Sequence, residues 1–86
     1  MTMLKWRQIS SSYFDAQGSR AVGGTYWIHG LKGGGFVVSR RDKHRHRGRY
    51  NIGEVVTYEE AVALAQAHHD EQLTAFAQWQ EGRHGA

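Results

Sequence analysis

"TYWIHGLKGGGFVVSRR", residues 25–41, decides the fold. Two runs rich in aromatic and β-branched residues, 25–31 and 35–41, flank a glycine-rich connection. Glycine alone reaches positive φ without steric cost, so the segment predicts a β-hairpin. C-terminal to it, "RYNIGEVV" (49–56) alternates Tyr50 and Ile52 against Arg49 and Asn51 before running into Val55 and Val56, which predicts a further antiparallel strand. N-terminal to it, "LKWRQIS" (4–10) sets Leu4, Trp6 and Gln8 against Lys5, Arg7 and Ile9, an imperfect period of two that predicts a first strand. Residues 10–24 are rich in Ser, Gly and small residues and predict a loop, from which Tyr13 and Phe14 fold back as a lid on the core.

"TYEEAVALAQAHHDEQLTAFAQWQ" (57–80) carries a helix start signal: Thr57 can cap backbone donors while Glu60, three residues on, reaches back to it. Glu59 and Glu60 also complement the positive end of the helix dipole. At 100° per residue, Tyr58, Ala61, Val62, Ala65, His69, Leu73 and Phe76 share one face, whereas Glu59, Glu60, Gln66, Asp70, Glu71 and Gln78 lie elsewhere. The helix is expected over about 58–80, with 81–86 frayed. The expected fold is therefore α+β: a small antiparallel sheet of three to four strands, with one long C-terminal helix packed on one face and the other face open.

The 86 residues make a single domain, 1–86, that buries only about 60% of its unfolded surface. Cysteine is absent, so neither disulfides nor thiolate metal sites add stability, and a reducing cytoplasm suits the chain. Three Trp, four Tyr and three Phe supply the apolar area instead. With no run near the roughly 20 apolar residues of a membrane span, and no signal-peptide core in "MTMLKWRQIS", the expectation is a soluble cytoplasmic protein.

The net charge of +3 is distributed unevenly. The ten residues "RRDKHRHRGR" (40–49) hold six Lys or Arg against Asp42, while the rest of the chain holds five against seven acids. From 57 to 81 there are five acids and no Lys or Arg. An extended conformation puts Arg41, Lys43, Arg45, Arg47 and Arg49 on one side, with Asp42, His44, His46 and Gly48 on the other. Such a row can meet successive phosphates, and arginine forks onto phosphate oxygens and stacks on bases. The candidate binding residues are Arg40, Arg41, Lys43, Arg45, Arg47 and Arg49 with His44 and His46; Trp27 and Tyr50 are candidate stacking residues. The competing reading is a solvated tip that blocks edge pairing or pairs with the acidic helix.

No metal centre, cofactor or catalytic site is expected. His44 and His46 sit inside a cation run, and His68 and His69 point about 100° apart on a helix. His29 has no visible Ser, Cys or acid partner. "GLKGGGF" lacks the spacing of a phosphate loop and joins two strands instead of opening a helix.

"GGTYWIHG", "GGFVVS" and "NIGEVVTYEEAVALAQAHHDEQL" together resemble small accessory proteins of phages and prophages, in which a short β-meander ends in a "G-x-x-x-T-x-E-E-A" helix; the likeness spans 22–73. It implies a non-enzymatic inhibitor of bacterial defence, of the anti-CRISPR kind, that docks on a host protein or ribonucleoprotein complex in the host cytoplasm. The element order is also similar to the arm-binding domain of tyrosine integrases, which implies a module that lays its sheet in a DNA groove. Two functions are thus expected to compete: docking on a host complex, or direct DNA or RNA binding through the basic stretch and strand aromatics.

Overall fold

The computed structural model describes residues 3–19, 22–42 and 48–84, with side chains as far as Trp79. Five antiparallel strands run in chain order across one sheet: β1 (Arg7–Ser10), β2 (Tyr13–Gln17), β3 (Thr25–Gly30), β4 (Phe36–Arg41) and β5 (Tyr50–Val55). One helix, α1 (Tyr58–His84), follows and lies over β3, β4 and β5. The α+β architecture expected from sequence is present, with five strands where three to four were expected.

The β3–β4 hairpin closes because Gly33, Gly34 and Gly35 take φ of 106°, 106° and 86°, a region that costs side-chain-bearing residues dearly. The Leu31 N–H donates to Gly35 O at 2.9 Å and the Gly34 N–H to Leu31 O at 3.1 Å, which ties the loop down. Pairing of Tyr26 with Arg40 and Ile28 with Val38 sets the register, so Tyr26, Ile28, Val38 and Arg40 face α1 while Trp27, His29, Ser39 and Arg41 face away. A bulge opposite Val38 and Ser39 leaves Ile52 unpaired in β5, and a second leaves Ile9 unpaired in β1.

The segment 10–24 is not wholly loop. Tyr13, Asp15 and Gln17 alternate with Phe14 and Ala16 in β2, a period of two in which only half of the core-side positions are large. Tyr13 and Phe14 do not form a lid: Phe14 packs on Tyr58, ring centroids 4.7 Å apart, while Tyr13 points to the opposite side of the sheet. The first strand is also shorter than expected, since Leu4 and Trp6 precede it and join the core, with the Leu4 N–H donating to Gln66 Oε1 at 2.9 Å.

Helix α1 begins as the capping residues dictate. The Glu60 N–H donates to Thr57 Oγ1 at 3.1 Å, and the Thr57 hydroxyl donates to Glu60 Oε1 at 3.0 Å. Ala61, Ala65 and His69, four residues apart, are fully buried. Their neighbours Tyr58, Val62 and Leu64 close over a core of Leu4, Ala16, Tyr26, Ile28 and Val38. The helix comes close to β5 where Gly53 leaves room: a Cβ there would lie 2.6 Å from Leu64 Cδ2. The helix backbone continues through His84, past the expected end at 80. Its 27 residues span roughly 40 Å, about twice a six-residue strand, so its C-terminal half outruns the sheet. Leu73 and Phe76 continue the apolar stripe there only half-buried, and Trp79 is 58% exposed. Among the described residues, no helix is long and apolar enough to cross a membrane.

Candidate nucleic-acid interface

The sheet has one face under the helix and one without it. On the helix-free face the register aligns Arg7, Asp15, Trp27, Ser39 and Asn51 in one row across all five strands. The next row carries Tyr13, His29, Val37 and Glu54. Trp27 stands on the central strand, half-buried, with Tyr13 diagonal to it and His29 beside Tyr13 at a centroid distance of 5.3 Å.

Arg49 reaches across this face. Its guanidinium carbon lies 4.5 Å from the Trp27 ring centroid and 5.4 Å from that of Tyr13. Its Nε–H donates to Ser39 Oγ at 2.9 Å, and an Nη1–H donates to the Tyr13 hydroxyl. Both acceptors are neutral, and among the described residues no carboxylate pairs with Arg49. Arg41 likewise has no ion pair among them; it is exposed at the end of β4, beside a cleft of about 370 Å³ bordered by Gly18, Ser19, Gly23 and Gly24. The β4–β5 register ends at the Arg40–Tyr50 pair, so Arg41 and Arg49 are the residues that flank its last rung.

Arg7 behaves differently. It clamps Asp15 through Nε–Oδ1 at 3.1 Å and Nη2–Oδ2 at 2.9 Å, covering a side chain that is 10% exposed. The acid nearest to Trp27 is thereby neutralised. The remaining acid of the face, Glu54, lies a row further toward the β3–β4 turn.

One expected binding residue, Arg40, and one expected stacking residue, Tyr50, lie on the other side of the sheet. Arg40 is 2% exposed, its Nε–H donating to Asp42 Oδ1 at 2.8 Å and its guanidinium carbon 4.7 Å from the Tyr26 ring centroid. Tyr50 pairs with Arg40 in register, shares its face, and donates its hydroxyl to Asp42 Oδ1 at 3.2 Å. Strand alternation is the cause: Arg40 and Arg41 are adjacent, so they must point to opposite faces, and Tyr50 follows Arg40. Neither is placed to meet a ligand on the open face. Lys43, His44, Arg45, His46 and Arg47 lie outside the described residues; their segment joins Asp42 to Gly48, between Arg41 and Arg49.

Around Arg40 the helix side holds a buried polar cluster. The Tyr26 hydroxyl and His68 Nδ1 are 2.7 Å apart, and burial pushes the Tyr26 phenol up to about 12. His69, fully buried, accepts the Ser19 N–H on Nε2 at 3.0 Å, which fixes the imidazole as neutral with its proton on Nδ1. Burial, aided by the Arg40 charge, lowers the pKa of both histidines. The cluster anchors the end of β4 from which the basic stretch departs.

The fold and this face define a class: a helix-backed antiparallel sheet whose open side presents clustered aromatic rings and guanidinium groups that have no carboxylate partner among the described residues. Compared with family models, with curated proteins and with solved structures, the chain matches none. The geometry of the face is what carries a functional reading. Trp27, Arg41 and Arg49 were visible in the sequence as candidates, whereas Tyr13 and Ser39 were not; the period of two in 13–17 is the signal that would have added Tyr13.

Proposed function

We propose that this chain is a non-enzymatic nucleic-acid-binding module that uses the helix-free face of its sheet. The observation that carries the reading is Arg49, set over the Trp27 and Tyr13 rings and bonded to two hydroxyls, with neither it nor Arg41 in an ion pair among the described residues. Phosphates are the natural counter-charge for such a pair, and the basic stretch 43–47 leads from one cation to the other. The acidic residues Glu59, Glu60, Asp70 and Glu71 belong to α1, behind the sheet. The sheet therefore stands between those charges and a polyanion on the far face.

Fluorescence anisotropy of labelled oligonucleotides across a salt series tests the reading. The expected result is log K falling linearly with log salt, with the slope reduced by about 0.7–0.9 in each of Arg41→Ala and Arg49→Ala. Absence of binding to any oligonucleotide at low salt would refute it.

A second reading, the phage-type inhibitor that docks on a host nucleic-acid-handling complex, is favoured by a different place. Phe76 and Trp79 contact each other at 6.3 Å on the overhanging half of α1, where aromatic exposure suits a protein partner better than a phosphate backbone. Trp79→Ala separates the two: it leaves oligonucleotide binding intact under the first reading and abolishes inhibition of the host complex under the second.

A further inference from the structure

The open face also indicates which nucleic acid it takes. We infer that Tyr13, Trp27 and His29 form a stacking platform for unpaired bases, with Arg49 as a cover that turns from the Trp27 ring to the phosphate of the bound nucleotide. This rests on the nucleic-acid reading above and narrows it to single-stranded ligands.

Three rings from two neighbouring strands sit together on the helix-free face, where Arg49 lies over Trp27 and Tyr13. Tyr13 and His29 are directly opposite in register, and Trp27 is one row away on the same side. A base inside a duplex has both faces occupied by its neighbours and offers only its edges to a groove. A ring surface is therefore of use only to a base that has left the stack, and every base has a face to offer it. A duplex would meet Arg41 and Arg49 through its phosphates and draw nothing from Trp27.

The polar groups around the rings fit this use. Arg49 is bonded to the Ser39 and Tyr13 hydroxyls, both of which water can replace at little cost, so the guanidinium can leave the indole without stranding a buried charge. Arg49 is itself exposed. Asp15, beside Trp27 in register, would repel a phosphate, but Arg7 occupies both its oxygens. Arg40 could not serve as such a cover, being buried against Tyr26 and bound to Asp42.

The test compares a labelled 15-nucleotide oligo-dT with a blunt hairpin duplex, at one salt concentration, for wild type, Trp27→Ala and Trp27→Phe, with folding of each verified by circular dichroism. Base–aromatic stacking predicts that Trp27→Ala weakens single-strand binding about 5- to 150-fold, leaves duplex binding within about twofold, and that Trp27→Phe retains most of the affinity. In a Trp6→Phe/Trp79→Phe background, the remaining indole should be quenched by oligo-dT and unchanged by the duplex. Duplex binding as tight as single-strand binding, or equal loss of both in Trp27→Ala, would overturn the platform while leaving the nucleic-acid reading in place. Binding of neither ligand at low salt would overturn both. Should Trp27→Ala fail to fold, the quenching experiment on the intact indole decides alone: no quenching by oligo-dT overturns the platform.

Discussion

Replacing Asp42 with Ala removes the charged partner of a guanidinium that the fold encloses. The Arg40 side chain is 3% exposed and that of Asp42 20%, so the substitution strands a buried cation while the lost carboxylate was itself partly hydrated. Breaking one side of a buried pair costs about 3–5 kcal/mol, and the partial hydration of Asp42 places this case near about 3 kcal/mol. Loss of the acceptor for the Tyr50 hydroxyl acts in the same direction. In a domain of this size one kcal/mol moves Tm by roughly 4–8 °C, so thermal melts followed by circular dichroism should show a fall of roughly 12–24 °C. The cause is the orphaned charge and not the missing contact, so the double variant Arg40→Met/Asp42→Ala should recover most of the loss: methionine fills the site without a charge, and it also removes Nη1, which has no hydrogen-bond partner among the described residues. The pair is shielded from solvent, so 1 M salt should leave the difference largely intact. Asp42→Ala melting within about 3 °C of wild type, or a double variant no more stable than Asp42→Ala, would refute the reasoning.

Stability should fall on mild acidification. His68 and His69 have folded pKa values below the ordinary 6.5, first through burial and then through Arg40, while Asp42, Asp70 and Glu71 pull the other way. The unfolded chain then binds protons that the native state refuses, so the contribution is fully present above about pH 6.5 and is lost as pH drops through the lowered values. Urea midpoints at pH 7.5 and 5.5 check this, and an unchanged or higher midpoint at pH 5.5 would contradict it. Gly24→Ala should cost about 2 kcal/mol or more, because Gly24 has φ of 82° and a Cβ would lie 2.9 Å from both Arg40 Nη2 and Arg41 O; denaturant unfolding reads the loss. Thr57→Ala should cost about 1 kcal/mol by the same measurement, since it removes the hydroxyl that accepts the Glu60 N–H.

Much of the architecture was legible because its signals are local. The glycines of the β3–β4 turn, the capping pair Thr57 and Glu60, and the small residues Ala61 and Ala65 act through their immediate neighbours. β2 escaped because its core-side residues, Phe14 and Ala16, include one of the smallest side chains, and because serine and glycine surround the strand. The division of the cations was legible only in part. Alternation dictates that Arg40 and Arg41 face opposite ways, but which of them meets the helix depends on where α1 lies, a tertiary fact. The same holds for Tyr50, whose side follows from its pairing with Arg40. The stacking of Arg49 on Trp27 joins residues 22 positions apart through two hairpins, beyond the reach of any periodicity.

Strand order that repeats chain order lets the sheet assemble by successive closures of short loops, the kind of topology that folds quickly. The helix that covers it is synthesised afterwards. Until it docks, Tyr26, Ile28 and Val38 of the sheet face water. The folding chain therefore passes through a stage that is fast to form and adhesive. A substitution that hinders docking of the helix, such as Gly53→Ala against Leu64, would prolong that stage and divert chains to aggregates.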